Sequence, residues 1–199
     1  KPSFTITIIP AIGIIILLHL KEVKKVNWFY VIFPIGMTAL VVLAGQFAIN
    51  YVGARGERVL IAPFASLLYL VKDVPTIFLY LFMSLLFPLS VHIIYWRDIK
   101  SKMEFKLAGW NFIVSLVYGF LLTEEINSGS NNFWNGVQIA NFLLFAVSAG
   151  FLGNLVLQKK EYKQHLIWKE IVPLILLGAH LLCGIAYYVL SMLTNGVVK

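Results

Sequence analysis

The sequence predicts an all-α polytopic membrane bundle of about six transmembrane helices with one short external interfacial or re-entrant helix, and three observations carry that prediction. The first is composition. Of 199 residues 60% are hydrophobic and only 13% charged, with a mean hydropathy of +0.85. Soluble domains carry about a quarter charged residues, so this chain has too little polar surface to be covered by water. The second is run length. Apolar stretches at 3–20, 28–52, 75–96, 107–123, 133–157 and 171–194 approach or reach the ~18–20 residues that a helix needs to cross a ~30 Å hydrocarbon core. The short alternating segments of an outer-membrane barrel are absent.

The third observation is where the cations fall. Eleven of the sixteen Lys and Arg residues sit in three hydrophilic loops: Lys21, Lys24 and Lys25; Arg97, Lys100, Lys102 and Lys106; Lys159, Lys160, Lys163 and Lys169. With six spans these loops alternate to one side. Cytoplasmic loops are enriched in Lys and Arg, so the bias predicts both termini of the stretch on the external face of a plasma-type membrane, the bacterial inner membrane. The same bias accounts for the net charge of +7 without a nucleic-acid partner. Trp28, Tyr95, Trp96, Trp110, Phe133 and Trp134 fall near run ends, the level at which amphipathic rings meet the headgroups.

The external loops are then 53–74 and 124–132. The first contains an apolar core from Val59 to Val71 that is too short to span, which predicts an interfacial or re-entrant helix opened by Pro63 and closed at Asp73 and Pro75. No internal repeat or domain boundary interrupts the chain, so residues 1–199 read as a single transmembrane helical domain. Because it starts at Lys1 and enters an apolar run almost at once, it also reads as a portion of a longer polypeptide. Cys183, the one cysteine, excludes an internal disulfide and a cysteine metal cluster. No metal and no cofactor is expected.

Polar residues inside apolar runs are the best functional signal, because hydrocarbon satisfies no hydrogen bond and such groups turn toward the bundle interior or a wet cavity. Gln46 and Asn50 are four apart and share a helix face. Trp134, Gln138, Asn141, Phe145 and Ser148 follow steps of four, three, four and three, a single stripe on the fifth run. Asn111, Ser115 and Tyr118 form a face of the fourth run, and His180, Tyr187 and Ser191 one of the sixth. Singly, each reads as interhelical glue worth about 0.6–2 kcal/mol. Taken together, Gln46, Asn50, Gln138 and Asn141 lie toward the same outer side as Arg55, Arg58, Glu124 and Glu125, and a polar cavity open to the outside becomes a competing explanation.

The familiar intramembrane chemistries fit poorly. The adjacent Glu124 and Glu125 invite comparison with CAAX-type proteases, but the following "INSGS" has no arginine and the later runs offer only His180. "NSGSNN" lacks the Gly-x-Ser-Gly order of rhomboid-type proteases. There is no phosphate-binding P-loop, and "NSG" and "NNF" are not glycosylation sequons. His19 and His92 lie near helix ends rather than mid-run, without a recurring haem-ligand pattern. His180 reads as a hydrogen-bonded interior residue before it reads as a proton relay.

A resemblance narrows the reading. The Arg-bearing loop running into "APFASLLYL" and the later "EE…NNFWNG…NFLLF", set in an aromatic-rich bundle, resemble the O-antigen polymerase and ligase type of bacterial surface-polysaccharide membrane proteins over residues 53–157. Those proteins have about twice as many helices. The resemblance implies metal-free glycan assembly on a polyprenyl-diphosphate-linked substrate at the outer face. Glu124 or Glu125 would then act as base, Arg55 and Arg58 would hold the diphosphate, and Gln46, Asn50, Asn132, Trp134, Gln138 and Asn141 would line the sugar site, stacking and hydrogen-bonding. Two other classes stay open. One is a small-solute permease or the membrane substrate-binding subunit of a transporter, with the interruption at 53–73 as a gate. The other is a non-catalytic scaffold or immunity protein. Membrane lipid is the common partner, with a lipid-linked glycan and further membrane subunits as the specific ones.

Overall fold

The computed structural model describes residues 2–19, 28–48, 58–68, 73–124 and 132–193. Helices occupy all six apolar stretches: α1 (Pro2–Leu18), α2 (Trp28–Phe47), α4 (Val74–Ile94), α6 (Met103–Leu121), α7 (Asn132–Glu161) and α8 (Trp168–Leu193), with short α3 (Ala65–Leu68) and α5 (Trp96–Ile99) between them. Val74–Ile94, Phe133–Glu161 and Trp168–Leu190 are long and apolar enough to cross a membrane. The apolar parts of α1 and α2, Phe4–Leu18 and Gly36–Gly45, are shorter.

The segment after Arg58 is strand before it is helix: Val59–Ile61 form β1, a turn follows at Pro63, and α3 begins at Ala65, where a helix opened by Pro63 was expected, while residues 69–72 lie outside the described residues. β1 pairs antiparallel with β2 (Leu122–Glu124), in the register Val59 opposite Glu124, Leu60 opposite Thr123 and Ile61 opposite Leu122. The physical reason is local. "VLI" is aliphatic, with β-branched Val59 and Ile61, and β2 supplies backbone partners that no isolated apolar segment has in hydrocarbon.

Prolines punctuate four of the long helices, which is tolerated where side chains and carbonyls rearrange around the missing N–H. In α2 the Thr38 hydroxyl donates to the Pro34 carbonyl at 2.8 Å. In α4 the Pro88 carbonyl accepts from His92 Nδ1 at 2.8 Å. The start of α4 is capped by Asp73, whose two carboxylate oxygens accept from the Thr76 backbone N–H at 2.8 Å and its hydroxyl at 2.9 Å. Those two donors, the backbone one foremost, hold the Asp73 carboxyl below the usual carboxylate range.

The chain separates into two compact units, one formed by residues 1–79 and 102–144, the other by 80–101 and 145–199. In the first, α1 packs along α6 and also meets α2, and α3 rests on α6 and β2. Its core includes Ala11, Ile15, Phe105, Ala108, Phe112, Val137 and Ala140. In the second, Phe87 and Phe145 pack with ring centroids 4.8 Å apart, His180 lies 4.9 Å from Phe145, and Tyr95 meets Phe151 edge-on at 5.4 Å. The α7–α8 turn is closed by a Schellman arrangement. Lys163 takes a left-handed φ of 52°, Gln164 N–H donates to the Lys159 carbonyl at 2.8 Å and Lys163 N–H to that of Lys160 at 3.2 Å, satisfying helix-end carbonyls.

Candidate functional site

The ribbon decides which residues of the segments around 58 and 124 meet. α6 stops at Leu121 because Leu122 turns extended, with φ −110° and ψ 142°, and the next residues enter β2. Two further bonds prolong the pairing, Ala62 N–H to the Leu121 carbonyl at 2.9 Å and Phe64 N–H to that of Phe120 at 2.7 Å. Directly opposed residues in such a ladder have Cα atoms about 4.5–5.5 Å apart. Arg58 immediately precedes Val59, and Val59 faces Glu124. The segment carrying Arg58 and the segment carrying Glu124 therefore share one end of the ribbon.

The two sides of that end differ in environment. Glu124 is buried, with 4% of its surface exposed, and Thr123 beside it is buried too, while Arg58 is exposed. The three apolar side chains of β1 are exposed, Ile61 at 82%.

Beneath the ribbon Phe64 adopts a left-handed φ of 62°, costly for a bulky side chain. Its N–H bond to Phe120 and a ring cluster hold it there: the Phe64–Phe120, Phe78–Phe120 and Phe64–Phe78 centroids are 5.4, 6.0 and 6.5 Å apart. This aromatic base fixes the turn after Pro63 and with it the start of the pairing.

α7 begins beside the same helix end. Tyr118 and Phe133 meet perpendicular at 6.4 Å. A Cβ added to Gly119 would lie 2.7 Å from Val137 Cγ2 and 3.9 Å from Trp134 Cε3, so only glycine permits this approach. Further along these helices the unit holds polar groups. Asn111 and Ser115 have no exposed surface, and the Ser115 hydroxyl donates to the Asn111 carbonyl at 2.6 Å. The amide of Asn111, both Oδ1 and Nδ2, and the buried Oδ1 of Asn141 find no hydrogen-bond partner among the described residues. Along their axes Asn111 lies about 12 Å from Gly119 and Asn141 about 6 Å from Val137.

Of the site residues expected from the sequence, Arg58, Glu124 and Trp134 fall at the ribbon end or at the adjoining helix contact. Gln138 is exposed, and Asn141 is half-buried one turn further along. Their stripe therefore does not present one uniformly enclosed face. Arg55, Asn50 and Glu125 lie outside the described residues, as do the side chains of Gln46 and Asn132.

Sequence reasoning missed a second polar centre, in the other unit. Glu170 is 3% exposed and accepts from the Tyr95 hydroxyl at 3.0 Å, from Ile167 N–H at 2.8 Å and from Lys159 Nζ at 2.9 Å. The Ile167 bond is the helix-capping half of a capping box, in which the third helical residue reaches back to the N-cap N–H. Burial, and after it the Glu170 hydrogen bond, raises the Tyr95 phenol well above its ordinary range. The available signal was a lone carboxylate at the head of an apolar run, three residues after Ile167. Among the described residues no group of three or more His, Cys, Asp or Glu side chains gathers as a metal site.

Fold and site together define a helical protein with three helices able to cross a membrane and a two-stranded ribbon between its helix ends. Comparison with protein-family models, characterised proteins and solved structures finds no match.

Proposed function

We propose that the protein is an integral membrane protein of the bacterial inner membrane, with both ends of the chain external, that handles a polyprenyl-diphosphate-linked glycan at the ribbon end. One observation carries this reading: the β1–β2 register sets Arg58 beside the residue opposite Glu124. A guanidinium at a lipid-facing edge suits a diphosphate, which it binds in a bidentate fork. The exposed apolar strand that follows suits the prenyl chain. Trp134, half-buried at the head of α7, would offer its ring for stacking against a sugar.

In the transfer step a hydroxyl oxygen of the acceptor sugar attacks the anomeric carbon, the bond from that carbon to the diphosphate oxygen breaks, and the diphosphate leaves on its prenyl carrier. The hydroxyl proton passes to a glutamate of the pair Glu124 and Glu125, and Arg58, with Arg55, offsets the charge on the departing diphosphate. The test is binding of a polyprenyl diphosphate to the purified protein in detergent. Arg58→Ala is expected to weaken it about tenfold or more, the weight of a charge-assisted bidentate contact. Equal binding by Arg58→Ala and the unaltered protein overturns the assignment.

The amide of Asn111 and the Oδ1 of Asn141, unpartnered among the described residues, favour a second reading, a permease or transporter subunit for a small neutral polar solute. It requires that such a solute raise the melting temperature of the solubilised protein, and it fails if a panel of sugars, polyols and amino acids produces no shift.

A further inference from the structure

At the opposite end of α6 from the ribbon, Lys106 Nζ lies 3.0 Å from His19 Nε2, joining the end of α1 to the first turn of α6. Both side chains are partly buried. A lysine that only solvates a surface extends into water, whereas this ammonium is held against a second basic group from another helix. Its three protons cannot all be spent on one imidazole nitrogen. Lys102, the N-cap of α6 with an extended backbone and a half-buried side chain, lies one turn before Lys106 on the same face. The first backbone N–H groups of α6 also belong to this end and favour an anion. Glu104, the carboxylate of the first turn, is exposed.

The surroundings are those of a membrane interface. Trp110, one turn beyond Lys106, is half-buried, and an indole at that level marks the headgroup boundary. Leu17 and Leu18, immediately before His19, and Met103, between the two lysines, are exposed apolar side chains. Cations bordered by outward apolar side chains match an amphiphile, and they do not match a freely soluble anion.

We propose that His19, Lys102 and Lys106 form a phosphate site for the headgroup of an anionic phospholipid, with the acyl chains lying against the apolar ends of α1 and α6. The inference is independent of any reaction at the ribbon end.

The experiment uses the purified chain in neutral detergent, with dioleoyl phosphatidylglycerol as probe, dioleoyl phosphatidylcholine as its uncharged-headgroup control and inorganic phosphate as the free-anion arm. Lipid adducts are counted by native mass spectrometry, and affinity is read from the shift in melting temperature against lipid concentration. Phosphatidylglycerol is expected to bind and stabilise, with the other two probes inert at equal concentration. Lys106→Gln should weaken it about fivefold, the weight of one cation near an anionic headgroup, and His19→Gln should also weaken it, while Lys106→Arg keeps it. The charge-retaining variant separates loss of the site from loss of the fold, as does Lys160→Gln, which removes an exposed cation elsewhere and should leave the affinity unchanged. Equal affinity in Lys106→Gln and Lys160→Gln overturns the site, and stabilisation by inorganic phosphate equal to that by the lipid overturns the lipid assignment.

Discussion

The Tyr95 hydroxyl donates to Glu170 Oε1 at 3.0 Å between residues 75 positions apart in the chain, and that same carboxylate caps the start of α8 and pairs with Lys159 from the end of α7. One buried side chain thus ties three helix ends together. A buried carboxylate is tolerated only when its oxygens are paired and hydrogen-bonded, and here each oxygen is engaged.

Removing that carboxylate should expose the dependence. Glu170→Ala strands the Lys159 ammonium, which is only 20% exposed, and opens the α8 cap. It is expected to cost about 3–5 kcal/mol. Tyr95→Phe removes one charge-assisted hydrogen bond and should cost about 1.5–3 kcal/mol. Unfolding in detergent with increasing denaturant measures both, and losses in the reverse order would contradict the geometry.

Tyr95 also predicts a pH dependence. Its folded pKa is raised, through burial first and the Glu170 bond second. Its contribution to stability is therefore fully present below the unfolded phenol value of about 10 and is lost as pH rises through that value toward the folded one. Absorbance at phenolate wavelengths should show that Tyr95→Phe leaves unchanged the number of tyrosines ionising between about pH 9 and 11. A drop of one tyrosine in the variant would show that Tyr95 titrates like an exposed phenol.

Gly119 should tolerate no side chain without movement. A Cβ there would meet Val137 Cγ2 at 2.7 Å, so Gly119→Ala is expected to destabilise by about 1–3 kcal/mol. Val137→Ala in the same chain should recover part of the loss. No recovery in the double variant would mean that the two positions do not touch.

Asn111 is expected to behave unlike a structural hydrogen-bonding residue. Its buried amide is unpartnered among the described residues, so the near-isosteric Asn111→Leu removes a desolvated polar group rather than a bond. The protein should keep its stability or gain up to about 2 kcal/mol. A clear loss in the melting curve would show that a bound solute or water holds the amide.

How legible these features were in the sequence follows from their range. Runs such as 75–96 and 133–157 were readable because hydrocarbon thickness sets the length of a crossing helix and forbids uncompensated charge along it. The second of these became Phe133–Glu161, running about one turn further to its Schellman close. The stripe from Trp134 to Asn141 was readable as a helical period, yet Gln138 turned out exposed and Asn141 half-buried. Periodicity tells which residues share a face, not what that face meets.

The sequence by itself determined that the protein is helical with helices apolar enough to cross a membrane, roughly where the long helices lie, and the clustering of cations between them. These depend on local composition and on the solvent. Only the tertiary structure decided that 59–61 would be a strand, since three residues become one solely through a backbone ladder with residues 122–124. It likewise decided that Arg58 and Glu124 would share a ribbon end, that Lys106 would meet His19, and that Glu170 would gather Tyr95 and Lys159. Each of these pairings joins distant parts of the chain, and its energy exists only once packing has brought the partners within reach.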